Sequence, residues 1–235
     1  MFCSTVSAEG VESANIVGYQ QITIQPGYSL FTVTFENVNG EDYDIQDIKV
    51  LNANGSDYAS NNKVRMQKVS PSGSYGTLYN YRLSKGGWCQ AATFAGEKTV
   101  TFASGEGVAL YNGDTAALLL SVSGGVKLNP VSTAIPAGSY QIIGNMTPVT
   151  VDLQDVIPYI GDVVCSANNK VRVQKVTSSG SYDTLYNYRQ SKGGWCRSAT
   201  VIGRNEVTLA PGEAVAVYNG ETSAITLNFP SPISK

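Results

Sequence analysis

The sequence predicts an all-β protein made of two tandem antiparallel β-sandwich domains, Ig-like or jelly-roll-like, that are related by an internal repeat. The composition is the first reason: 24 glycines, 14 tyrosines and only 14% charged residues favour strands and tight turns over amphipathic helices. A long internal repeat is the second reason. The third is a period of two in the apolar pattern, which is typical of half-buried strands.

The repeat aligns without a gap at a shift of 107 positions. Residues 61–113 and 168–220 share 37 identities in 53 columns, including the hexapeptide SKGGWC at 84–89 and 191–196. Weaker similarity continues upstream, so each copy is about one hundred residues, a common size for a sandwich domain. Two copies are too few for a solenoid.

We therefore divide the chain into residues 9–124 and 125–235, joined near 123–129. A short connection of this kind predicts a fairly fixed arrangement of the two copies. The alternative is one compact body in which the copies pair through a shared strand.

The strand pattern is clearest in the hairpin of the first copy. Val64 and Met66 alternate with Arg65 and Gln67, a turn follows at 71–73, and a second strand follows from residue 75. The glycine pair at 86–87 marks the next turn, and the pattern continues as a meander to residue 112. The segments 44–48 and 152–156 are expected to form one short helical turn or the start of a strand.

Alternating tyrosines in that second strand are the best functional lead. They are predicted to share one strand face in each copy. The polar partner on the opposite face is either the arginine, Arg82 or Arg189, or the asparagine, Asn80 or Asn187. Such a face either binds a glycan or a protein partner or builds the sandwich core. Trp88 and Trp195 are expected to fill the core. The candidate binding residues are Tyr75, Tyr79, Tyr81, Arg82, Tyr182, Tyr186, Tyr188 and Arg189.

Several short motifs occur along the chain: ESANIVGY at 12–19, PGY at 26–28, the D-I-Q-D element at 44–47, the aromatic hairpin at 75–81, GW at 87–88 and GEG at 105–107. Together they resemble a family of exported bacterial proteins. The resemblance covers almost the whole chain, and the second copy departs from it at Ala214, where the first has Gly107. It implies export and a β-sandwich fold, and no functional residue comes with it.

The four cysteines allow two interpretations. Cys165 and Cys196 are candidates for a disulfide, while the alternative is a small buried side chain at each position. Cys3 falls in residues 1–8, which we interpret as the remnant of an export signal or as a disordered terminus. The chain has no histidine, which argues against Cys-His and Ser-His-Asp catalysis and against a zinc site.

Paired carboxylates are the remaining route to catalysis, because two of them can hydrolyse a glycoside. The more ordinary interpretation is that they accept hydrogen bonds in turns. A calcium site at 41–44 is disfavoured because the second copy has no matching acidic cluster, and no cofactor is predicted. The candidates are Glu36, Glu41, Asp42, Asp44, Asp47 and Glu106, with Asp152, Asp155 and Glu213 as repeat equivalents.

We expect an exported protein, periplasmic, cell-surface or extracellular, that serves a structural or adhesive role without catalysis. A carbohydrate-binding module is the first alternative, and a glycoside-active enzyme is the second. The formal charge of −2 without a basic run argues against nucleic acid as a partner. The most apolar stretch, 116–122, is too short to cross a bilayer. The expected partners are proteins in a surface assembly, or glycans.

Overall fold

The computed structural model describes residues 17–37, 41–51, 63–90, 100–103, 105–126, 129–165, 170–197 and 207–231. These residues form an all-β protein, as the sequence predicts. They contain 22 strands and four 3₁₀ helices of three residues each. The proposed signal remnant at 1–8 lies outside the described residues.

The first half of the chain contains eleven strands, and so does the second. The strands of the first half are β1 Val17–Ile24, β2 Gly27–Thr32, β3 Phe35–Glu36, β4 Tyr43–Asp44, β5 Lys49–Val50, β6 Val64–Val69, β7 Tyr75–Arg82, β8 Gly87–Gln90, β9 Thr101–Phe102, β10 Gly107–Asn112 and β11 Leu118–Val126. Those of the second are β12 Val131–Ile135, β13 Ser139–Gly144, β14 Val151–Asp152, β15 Ile157–Ile160, β16 Val163–Val164, β17 Val171–Val176, β18 Tyr182–Arg189, β19 Gly194–Arg197, β20 Thr208–Leu209, β21 Ala214–Asn219 and β22 Ile225–Phe229.

All strand pairs in the described sheets are antiparallel. One five-stranded sheet has the order β2-β10-β6-β7-β8, and the other has the corresponding order β13-β21-β17-β18-β19. In the smaller sheets, β11 pairs with β1, β3 and β5, and β22 pairs with β12 and β15. The predicted meander holds only from β6 to β8. Because β9 leaves to pair with β4, β10 returns between β2 and β6.

Each half has its own apolar core between its sheets. On β6, Val64 and Met66 are buried while Arg65 and Gln67 are half-buried, as the period of two predicts. Trp88 lies in one core and Trp195 in the other, both fully buried as predicted. Each indole N–H donates to a backbone carbonyl, which satisfies its one polar group inside the core.

The D-I/L-Q-D element positions the tryptophan. Asp44 accepts the backbone N–H of Gln46 and so begins the 3₁₀ helix Ile45–Asp47. The Gln46 amide then accepts the Trp88 N–H at 2.9 Å and donates to the Trp88 carbonyl at 2.8 Å. Gly87, at φ +155°, leaves room for this amide, since a Cβ there would collide with it. The second half repeats the arrangement with Gln154 and Trp195.

The two halves contact each other through the outer faces of their five-stranded sheets. A small apolar cluster lies between them, and it includes Leu30 and Ala109 from the first half and Ile142 and Ala214 from the second. A Cβ on Gly107 would collide with Ile142. This close approach explains why the first copy has a glycine at position 107, where the second copy has Ala214.

Backbone hydrogen bonds cross the same boundary reciprocally. The N–H of Thr32 donates to the Gly212 carbonyl at 2.9 Å, and that of Tyr28 donates to Ser178 at 2.8 Å. In the opposite sense, the N–H of Tyr140 donates to Pro71 at 2.8 Å. The hairpin turn of each half therefore binds the edge strand β2 or β13 of the other.

The sequence predicts a connection near residues 123–129. In the structure, residues 123–126 instead belong to strand β11. Gly124 and Gly125 pair with β1 in an unbroken register. Gly124 is needed for packing, since a Cβ there would collide with the Glu36 carbonyl. The division at 124/125 therefore falls inside a strand that pairs with the first half.

Candidate binding surfaces

One row of side chains crosses the outer face of each five-stranded sheet, and its residue types are the same in both halves. The row points away from the core because Cys89 follows the core residue Trp88, and successive side chains of a strand alternate. The directly opposed residues are Tyr28, Tyr111, Arg65, Asn80 and Cys89 in the first half. In the second they are Tyr140, Tyr218, Arg172, Asn187 and Cys196.

A β-bulge divides the predicted tyrosine stripe. The register between β6 and β7 shifts after Gln67, so that Tyr75 lies opposite Val69. Val69 packs against the apolar cluster between the halves. Tyr75 therefore shares the outer face with the polar row, whereas Tyr79 and Tyr81 face the core. The same shift occurs at Tyr182 in the second half. Bulges re-aim side chains in this way, and strict alternation does not predict them.

The re-aimed tyrosines extend the row into a stack. In the first half the Tyr75 and Tyr28 rings lie 6.0 Å apart, nearly parallel, and the Tyr28 and Tyr111 rings lie 4.7 Å apart. The Arg65 guanidinium lies 4.1 Å from the centre of the Tyr111 ring, a cation–π geometry. The second half repeats the stack with Tyr182, Tyr140, Tyr218 and Arg172.

The two stacks meet where the halves touch. The Tyr75 hydroxyl donates to the Gly180 carbonyl at 3.1 Å, and the Tyr182 hydroxyl donates to the Gly73 carbonyl at 3.3 Å. Partial burial raises the pKa of Tyr75, and the nearby Tyr182 and Tyr28 raise it further. These two tyrosines are 38% and 39% exposed. The stacks therefore join the halves, and Tyr75 and Tyr182 also reach solvent.

The other predicted tyrosines belong to the cores. Tyr81 and Tyr188 are buried edge-on against Trp88 and Trp195, and Tyr79 and Tyr186 pack against the same two cores. Arg82 and Arg189 end their strands, half-buried, immediately before 3₁₀ helices. The arginines that stack on tyrosine are Arg65 and Arg172, which sequence reasoning missed although both lie in the repeated KVR segment.

The candidate carboxylates hold turns and pair with lysines. Asp44 and Asp152 begin 3₁₀ helices. Glu106 lies 2.9 Å from the Lys68 ammonium, and Glu213 lies 2.6 Å from that of Lys175. Glu106, Glu36, Glu41 and Asp42 line one cavity of about 100 Å³. Among the described residues, no group of three or more acidic or cysteine side chains is arranged to hold a metal ion.

The proposed Cys165–Cys196 disulfide is not formed, and both thiols are free and buried. Cys165 packs in the core with Trp195. Cys196 follows Trp195 on β19 and so points to the opposite face of the sheet. Burial raises the pKa of the Cys165 thiol to about 11, with a smaller contribution from Glu221. Cys196, in contrast, donates to the Gly194 carbonyl at 3.6 Å.

The second surface is strand β1, at the edge of the β1-β11-β3 sheet. Its register with β11 is unbroken over eight residues. Val17 is 65% exposed and Tyr19 is 61% exposed. Hydrogen bonding with Ser121, and then with Gln21, lowers the pKa of Tyr19, and the Gln21 amide donates to the Tyr19 hydroxyl at 3.1 Å. In the described part of the chain, β11 is the one strand that pairs with β1.

Comparisons with protein-family models, with curated proteins and with solved structures returned no match. None of the helices in the described ranges has the length and apolar character needed to span a membrane. The case for a function therefore rests on the two surfaces, the stacked tyrosines between the halves and the edge strand β1.

Proposed function

We propose that this chain is an exported bacterial protein of the cell surface or extracellular space, with a structural or adhesive role and without catalytic activity. In this proposal it consists of two tandem β-sandwich domains that meet after β11. The matching strand orders and the separate apolar cores of the two halves support that division. The motif resemblance supports export.

The observation that carries the structural role is the edge strand β1. An exposed edge offers a row of backbone donors and acceptors, and chains that remain monomeric usually protect such edges with charges, proline or bulges. β1 reads VGYQQITI, without charge or proline, and its register has no bulge. Strand addition is an established way for such an edge to bind another protein.

The carbohydrate alternative has less support because most of its proposed residues face inward. Tyr81 and Tyr188 are buried, and Tyr79 and Tyr186 pack against the two cores. Sugar stacking needs an open ring face. In the stacks, only Tyr75 and Tyr182 expose more than a third of their surface.

The glycan alternative can be tested separately. A glycan array compares the wild type with the double variant Tyr75→Ser/Tyr182→Ser. We expect no glycan signal that the double substitution removes. A signal that disappears in this variant would favour the carbohydrate-binding function instead.

The structural role predicts a surface location and a loss of attachment when the gene is deleted. Intact producing cells are treated with protease, and the chain is followed by immunoblot with a cytosolic protein as control. We expect the chain to be degraded while the control survives, and the deletion strain to attach less well than the complemented strain. A chain protected inside intact cells would refute the proposal.

A further inference from the structure

Four sheet edges in the described part of the chain are covered, at least in part, by the protein's own residues. On the edges β2 and β13, the backbone N–H groups of Thr32 and Tyr140 donate to carbonyls of the opposite half. On β8, the Gln46 amide takes both the N–H and the carbonyl of Trp88, as a neighbouring strand would. Gln154 does the same on β19.

β1 is the exception. The Ile24 carbonyl at its end accepts the Asn112 side-chain amide at 3.1 Å. Its other described backbone hydrogen bonds go to β11, and no other turn or loop in the described ranges adds one. Its counterpart in the second half, the edge strand β12, has five residues where β1 has eight. β1 is therefore the longest uncovered edge in the part of the chain that the structure describes.

We infer that β1 binds β1 of a second copy of this chain, antiparallel across a two-fold axis at Gln21. This inference rests on the structural role proposed above and names its partner. Residues 17, 19, 21 and 23 are exposed, and the residues between them face inward. Pairing centred on residue 21 opposes Tyr19 to Thr23 and Gln21 to Gln21, so exposed side chains meet exposed ones. If the pairing register slipped by one residue, so that Gln21 lay opposite Ile22, each exposed side chain would lie opposite an inward-facing one.

A second copy fits this edge better than a charged partner does. β1 carries no charge, so it offers nothing to a basic or acidic strand, and self-pairing brings no like charges together. The pairing creates two Tyr19–Thr23 contacts, and aromatic residues opposite β-branched ones stabilise antiparallel sheets. A two-fold dimer is also the commonest closed assembly.

The first test uses the full chain and measures its mass by light scattering after gel filtration at micromolar concentration. We expect a mass of two chains for the wild type. Gln21→Lys places two lysines opposite each other and weakens the dimer by about tenfold or more. Ser132→Lys puts the same charge on the exposed face of β12 and is expected to leave the dimer intact. Far-ultraviolet circular dichroism checks that both variants fold.

The second test locates the axis. In a Cys3→Ser background, Gln21→Cys should form a disulfide-linked dimer on mild oxidation, while Ser132→Cys should not. A monomeric wild type, loss of the dimer only in Ser132→Lys, or equal crosslinking of both cysteine variants would overturn the β1 pairing. Surface exposure on intact cells would stand in each of these cases, so the inference and the proposed function can fail independently.

Discussion

The Gln154 amide is expected to be one of the most important polar groups of the second half. Its side chain is buried and makes two hydrogen bonds of 2.9 Å to the backbone of Trp195. Gln154→Leu keeps a similar volume but leaves the Trp195 N–H and carbonyl without these partners. An unsatisfied buried backbone group costs about 1–3 kcal/mol. Because two such groups lose their partners and the strand can partly relax, we expect a total loss of about 2–4 kcal/mol.

That loss is large against the about 5–15 kcal/mol by which most proteins are stable. For a chain of this length it corresponds to a fall in melting temperature of roughly 5–15 °C. The assay is urea unfolding followed by tryptophan fluorescence, which suits this protein because Trp88 and Trp195 are its two tryptophans, one in each half. The reasoning predicts an unchanged slope with denaturant and a lower midpoint.

The matched variant Gln46→Leu tests the same contact in the first half. Gln46 is half-buried whereas Gln154 is buried, so its replacement should cost less. A loss below about 0.5 kcal/mol for Gln154→Leu would show that water replaces the amide without cost. The link between the D-L-Q-D and GW motifs would then contribute nothing measurable to stability.

Three further changes test other parts of the structure. Gly107→Val inserts a side chain against Ile142, between the two halves. In urea titrations it should lower the free energy of unfolding by about 1–3 kcal/mol. An unchanged free energy of unfolding would contradict the close packing. Asn80→Leu should raise that free energy by about 1 kcal/mol, because the Asn80 amide is buried and makes no hydrogen bond to any residue that the structure describes. A lower free energy of unfolding would reveal a partner for this amide. Burial raises the pKa of the Cys165 thiol from the ordinary 9.0 to about 11 in the folded protein. The stability that this shift contributes is fully present below pH 9.0 and is lost as the pH rises to about 11. In urea titrations over this pH range, Cys165→Ala should make the fall in the free energy of unfolding less steep.

Local sequence patterns predicted the strands and turns well because they depend on near neighbours. The alternation at Val64 and Met66, the turn at 71–73 and the burial of both tryptophans follow from a period of two and from glycine and proline positions. The face of Tyr75 could not be predicted in this way, since one extra residue in a bulge reverses every assignment beyond it.

Long-range pairing was the other source of error. The chain gives no local sign that β10 will lie between β2 and β6, or that Gly124 allows β11 to pack closely against Glu36 of β3. The Cys165–Cys196 bridge failed for a related reason. Proximity of two strands permits a disulfide only if both side chains point to the same face, and the burial of Trp195 in the core already places its neighbour Cys196 on the other face.

The uneven similarity of the two copies has a physical explanation in these contacts. The nearly identical block contains β6, β7 and β8, the hairpin turn and the tryptophan. That turn accepts the backbone N–H of the other half, at Tyr28 or Tyr140, and its tyrosine completes the stack between the halves. A substitution there alters both a core and the contact between the copies. The repeated block is thus constrained from both sides, and no shared external ligand is needed to account for it.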